Sequence, residues 1–199
     1  MKFLEDPYKT MMAGFGLTAV LAVVWLMMVN GMPEGGSWIE QLFRWTHFLA
    51  GITWIGLLYF FNLINAAFLK SLDGPTKNAV IPKLMPAALT WFRHGATVTV
   101  LAGLVLIFKT HPTLAGTGDK AIWIGGLLGI IMMANVHGII WPNQKKIIAA
   151  VSQAAAGGPP PPAEMAQWGR TALLASRINF MLSIPMLFFM GAGSHLPVK

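Results

Sequence analysis

The stretch Trp45-Thr46-His47-Phe48-Leu49-Ala50-Gly51-Ile52-Thr53-Trp54-Ile55-Gly56-Leu57-Leu58-Tyr59-Phe60-Phe61-Asn62 runs without a single charge and lies inside a longer apolar segment, from about Ser37 to Leu69. A helix rises 1.5 Å per residue, so roughly 20 mostly apolar residues cross a bilayer. The segment therefore reads as a spanning helix longer than the bilayer needs, one that tilts or protrudes at an end. Four more segments read the same way on either side of it. They run from about Thr10 to Asn30, closed by Gly31-Met32-Pro33; from Pro86, a good first helical residue, to Lys109; from Ala121 to Trp141, stopped by Pro142; and from Arg170 to Gly193, with Pro185 as the position for a kink. The predicted architecture is an all-α integral membrane bundle of five transmembrane helices, a single domain over residues 1–199. Glu5 and Asp6 dilute the positive start of the first span and no Ala-x-Ala site follows it, so it is expected to be retained rather than cleaved as a signal peptide.

Composition agrees with this reading. Of 199 residues, 55% are hydrophobic and 11% are charged, against roughly 25% charged in soluble domains. Mean hydropathy is +0.62. The absence of cysteine excludes disulfides, thiolate nucleophiles, thiolate zinc sites, iron–sulfur clusters and thioether-linked haem. The net charge of +7 sits mostly between the spans, where it reports topology rather than nucleic-acid binding. Lys2, Lys9, Lys70, Lys77, Lys83, Lys145, Lys146 and Arg170 fall on one side, and Lys109, Lys120 and Lys199 on the other. The positive-inside rule then places the N-terminus in the cytoplasm and the C-terminus in the periplasm. Residues 143–167, with four prolines from Pro159 to Pro162, read as an extended cytoplasmic linker.

Ionisable residues at membrane depth are costly and usually functional. This chain has Arg44 and His47 on the second span, Arg93 and His94 on the third, His137 on the fourth and Arg177 on the fifth. His47, Gly51, Trp54, Leu58, Asn62 and Asn65 advance by four or three residues and share one helix face. Gly125, Gly126 and Gly129 offer a close approach to the fourth span. Paired membrane histidines suit b-type haem, because two imidazoles on different helices can clamp the iron inside a bundle. By depth, His47 with His94, or His94 with His137, can share an iron. Arg44, Arg93 and Arg177 are candidate partners for the propionates. The plainer alternative has the histidines bonding to neighbouring helices while the arginines snorkel; ion or proton transfer is a third. His111 and His195 fall outside the spans and read as solvated. The methionine pairs read as gap-filling rather than copper ligands, and all seven carboxylates lie outside the spans or near their ends, which leaves no intramembrane acid–base pair.

The opening stretch resembles the membrane domain of the cytochrome-c-coupled urate oxidase family, the PuuD type. So does Ala134-Asn135-Val136-His137-Gly138-Ile139-Ile140-Trp141-Pro142-Asn143-Gln144-Lys145-Lys146 and, more loosely, Pro86-Ala87-Ala88-Leu89-Thr90-Trp91-Phe92-Arg93-His94-Gly95. The resemblance implies a membrane domain associated with urate oxidation and followed by a cytochrome c domain that takes the electrons. With no cysteine and an end at Lys199, the chain reads as a short form lacking the cytochrome part. His47 is the motif residue carried over, whereas His94 and His137 stand where longer members have other aromatics.

The expected function is a membrane-embedded electron-transfer subunit of a larger redox assembly, multi-pass in the bacterial cytoplasmic membrane. It would bind haem b through two of His47, His94 and His137. Its expected partners are lipid and either other integral-membrane subunits or a cytochrome c, with no nucleic acid. One alternative is a cofactor-free accessory subunit of a respiratory or copper-enzyme complex. The other is a urate-oxidase-type oxidoreductase that uses a separate cytochrome c.

Overall fold

The computed structural model describes residues 2–28, 37–114 and 116–195. The expected end of the first span at Asn30, its stop at Gly31-Met32-Pro33 and the charge at Lys199 lie outside the described residues. Among those described there is no strand, and five helices are long and apolar enough to cross a membrane. The chain divides into two compact units, residues 1–39 and 40–199.

In the first unit a short 3-10 turn, Lys2–Glu5, leads into α1, Pro7–Met28. Asp6 starts this helix: its carboxylate accepts from the amides of Tyr8 at 2.9 Å and Lys9 at 3.2 Å, satisfying donors that a first turn leaves orphaned. Proline at the first helical position lacks only an amide that would have had no partner.

The second unit holds four long rods, the first of which begins three residues before it. The first, α2, is helical from Ser37 to Ser71 and is interrupted by a π-helical segment at Phe60–Asn65. Next comes α3, Gly74–Thr110, whose Asp73 cap accepts from the Thr76 amide. The rod α4 runs Thr117–Asn135, through a π turn Val136–Ile140, into Trp141–Ala155. Last is α5, Met165–His195, which remains helical through Pro185.

Three boundaries differ from the sequence reading. Pro86 is not a first residue: α3 begins twelve residues earlier and contains both Pro82 and Pro86. A capped start at Asp73, with Pro75 in the first turn, outweighs two missing amide donors. Pro142 does not end α4. It stands in the first turn after the π segment, where a missing amide is tolerated. Residues 143–155 are consequently helix, and the extended part of the expected linker shrinks to the residues around the prolines.

Polar side chains join the rods. Asn179, fully buried on α5, donates to the Met132 carbonyl at 3.0 Å and accepts from Asn135 at 2.8 Å, and Asn135 also donates to the Ala175 carbonyl at 2.9 Å. Asn62 Nδ2 reaches Ser176 Oγ at 2.9 Å, while Ser183 Oγ, whose proton goes to the Phe180 carbonyl, accepts from Tyr59 Oη at 3.3 Å. A Cβ on Gly125 would stand 3.2 Å from the Met190 amide nitrogen, and one on Gly118 would stand 2.8 Å from the Gly193 carbonyl. Small residues are therefore what allow α4 and α5 to approach closely. Gly125 meets that expectation, whereas Gly129 has open space.

Asn179→Ala removes two interhelical bonds and is expected to lower unfolding free energy in detergent by about 1–2 kcal/mol, read from denaturation curves against wild type. The Asp73 carboxyl is held below its ordinary value by its hydrogen bonds to Thr76. Its contribution to the α3 start is thus present above the unfolded carboxyl pKa and is lost as pH falls through the lower folded one. Protection of the Thr76 and Lys77 amides, taken against the intrinsic exchange rate at each pH, should fall on acidification in wild type and be low at every pH in Asp73→Ala.

Candidate functional site

One end of the four-rod unit holds a cavity of about 830 Å³ whose walls come from all four rods. Its polar groups include Arg44 and His47 from α2, Thr99 and Thr110 from α3, and His111 and His195; aliphatic residues, Phe48, Trp54 and Trp123 form most of the rest. Sites of this size, mainly apolar with a few polar groups, are typical of small-molecule and cofactor binding.

His47 is the best positioned of these. Its Nδ1 lies 2.8 Å from the Thr99 carbonyl oxygen. A carbonyl can only accept, so Nδ1 carries the proton and the neutral ring presents a lone pair at Nε2. Gly103 makes room for the ring: a Cβ there would fall 2.9 Å from His47 Cε1 and 3.1 Å from Nδ1. Thr99 and Gly103 are four residues apart on α3 and so share one face. Gly51, next on the His47 stripe, lies against Thr99.

The sequence reading missed two of the cavity's histidines. His111 follows the last turn of α3 and Asp119 lies in the first turn of α4, so the short connection brings them to one level. His111 Nδ1 donates to Asp119 Oδ1 at 2.6 Å, Asp119 Oδ2 accepts from the Gly116 amide at 3.0 Å, and Trp123 Nε1 donates to the His111 carbonyl at 3.1 Å. His195 Nδ1 donates to the Gly191 carbonyl at 3.2 Å. All three cavity histidines therefore anchor Nδ1 on an oxygen. The legible signal was a histidine at each of two span ends on the side nearer His47. Trp54 also lines the cavity, is 1% exposed, and its Nε1 has no partner among the described residues.

His94 and His137 are elsewhere. Both are exposed, and neither lines this cavity. Thr97 gives its hydroxyl proton to the Arg93 carbonyl, so its oxygen accepts from His137 Nε2 at 2.9 Å. The nitrogen that would have faced a metal is thereby used as a donor. His137 lies within electrostatic reach of Arg93 and His94, and Arg93 stacks 4.1 Å over the Trp141 ring. The three expected ligands thus divide between His47 in the cavity and a His94–His137–Arg93 group further along α3. Of the three arginines only Arg44 lines the cavity, where it is also bonded to Glu40 at 2.5 Å; Arg177 is exposed on α5. Among the described residues no three of His, Asp and Glu converge as a bare metal site.

The class defined by these features is an all-helical protein that has, among the described residues, five helices long and apolar enough to cross a membrane, with a histidine-lined cavity at one end of its four-rod unit. Residues 108–199 match the family described as urate oxidase N-terminal, and the match supports membership of that family. It includes the Ala134–Lys146 motif, His111 and His195, but not His47. Comparison with curated proteins and with solved structures found no match.

Gly103→Val is expected to push the His47 ring off Thr99. The Nδ1 proton resonance of that imidazole, protected from exchange in wild type, should disappear, whereas Gly129→Ala, in open space, should leave it unchanged.

Proposed function

We propose that the chain is a membrane-embedded electron-transfer subunit that binds one haem b in the cavity around His47, within a larger redox assembly. The supporting observation is the His47 arrangement: a ring oriented by a backbone carbonyl through Nδ1, seated on a glycine, with Nε2 available beside a large apolar cavity. Metal-ligating histidines use this outer hydrogen bond to fix tautomer and ring direction.

The cavity's residues fit such a group. Apolar walls suit a porphyrin face, Gly56 and Gly129, each with open space where a side chain would stand, leave room for a flat ring, and the unpartnered Trp54 Nε1 is an orphan donor of the kind a bound molecule satisfies. Arg44 is a charge-assisted donor suited to a propionate. His111, held by Asp119, and His195 supply further polar contacts. When bound, the haem supplies reversible one-electron chemistry. The protein orients the ligand imidazole, sets the charge around the macrocycle and excludes water with the aliphatic walls. Membership of a family whose description names an oxidase agrees with a redox role.

On this reading the basic end, with Lys70, Lys77, Lys83, Lys145, Lys146 and Arg170, faces the cytoplasm of a bacterium by the positive-inside rule. The His47 cavity then lies toward the periplasmic side, where a cytochrome c or a partner subunit would exchange electrons.

A reduced-minus-oxidised spectrum with a pyridine haemochrome assay on the detergent-purified chain should show about one b haem per chain. His47→Gly should lose the Soret band and regain it with added imidazole, whereas His94→Ala and His137→Ala should keep it. A colourless wild type overturns the reading. A Soret band that survives in His47→Gly without imidazole overturns the ligand.

A further inference from the structure

The outer face of α5 repeats with alternating steps of four and three residues. Arg170, Leu174, Arg177, Met181, Ile184 and Phe188 are all exposed, and the last five include side chains as open as Met181 at 61% and Phe188 at 64%. That spacing is the a/d seam with which one helix packs along another at a shallow angle. Lipid would cover a purely apolar seam equally well; Arg177 is what distinguishes the two cases. It lies seven residues from Arg170 and sixteen from Gly193 in the apolar helix, about 10 and 24 Å along the axis. An arginine inside an apolar span in most cases faces protein or water.

Among the described residues no helix of this chain, nor of a second copy, supplies the matching charge. The described carboxylates, Glu5, Asp6, Glu40, Asp73, Asp119 and Glu164, all stand at helix ends or between helices. Two parallel copies meeting on this seam would set Arg177 against Arg177. Among the described residues Arg177 has no ion-pair partner.

We infer that the α5 seam docks a transmembrane helix of a different subunit, one carrying an Asp or Glu at the depth of Arg177. A charge-assisted contact in apolar surroundings fixes both the partner and its register, because sliding by one turn separates the charges by about 5 Å. This inference does not depend on haem.

The chain has no cysteine, so a single Lys77→Cys substitution allows donor labelling of the full protein in phosphatidylcholine vesicles. The probes are two acceptor-labelled leucine-based transmembrane peptides, one with a central Glu and one with Gln, compared at pH 8. The Glu peptide is expected to associate about tenfold more tightly than the Gln peptide. Arg177→Leu, which removes a charge from an exposed face, should abolish the difference, and Arg177→Lys should retain most of it. Equal binding of the two peptides to wild type, as snorkelling would give, overturns the proposal, and so does a preference that persists in Arg177→Leu. Energy transfer between differently labelled copies that is lost in Ile184→Glu would assign the seam to self-association and also overturn it.

Discussion

A surface this rich in leucine, isoleucine, valine and phenylalanine needs a solvent that offers no hydrogen bonds, and the rest of the structure follows from that constraint. Backbone amides and carbonyls must then be satisfied inside the segment that carries them, which leaves long helices as the solution for a chain of this kind. It also changes what holds helices together. With little hydrophobic gain between neighbours, close packing at Gly118 and Gly125 and hydrogen bonds such as Asn179 to Met132 take over that role.

The same constraint gives each polar side chain a purpose that can be read from its partner. Asn62, Asn135 and Asn179 are spent on interhelical contacts. His137 is spent on Thr97. His47 differs, because its bond to Thr99 uses one ring nitrogen and orients the other, and Gly103 is small where the ring needs room. The two π segments fall where these polar residues concentrate, at Phe60–Asn65 and Val136–Ile140. A π turn inserts one residue and rotates everything beyond it, and on α2 it contains the two buried asparagines, Asn62 and Asn65.

Particular residues show why some features were legible in the sequence and others were not. Five apolar segments are visible because crossing length is a property of composition alone. Helix ends were less visible: Pro86 and Pro142 are locally strong stop signals, but a cap at Asp73 and a π turn before Trp141 override them, and both depend on backbone geometry that a single residue type does not specify. The division of the histidines was harder still. His94 stands beside Gly95, which packs on Trp54, and so about 8 Å along α3 from the Thr99 carbonyl that holds His47, and its side of α3 is not the side that Thr99 and Gly103 turn toward α2.

The sequence by itself determined the helical class, the number of long apolar segments, the exclusion of thiol chemistry and the short list of polar residues that had to be explained. Those follow from composition and from the 3.6-residue period, which are local. Only the tertiary structure decided which of those residues share a cavity: it gathers His47, His111 and His195, sends His94 and His137 to another neighbourhood and leaves Arg177 facing outward. The physical reason is that depth along a helix can be counted in residues, whereas the direction a side chain faces relative to other helices depends on how the rods rotate and pack. That rotation is set by glycine contacts, asparagine bonds and π turns spread over the whole chain.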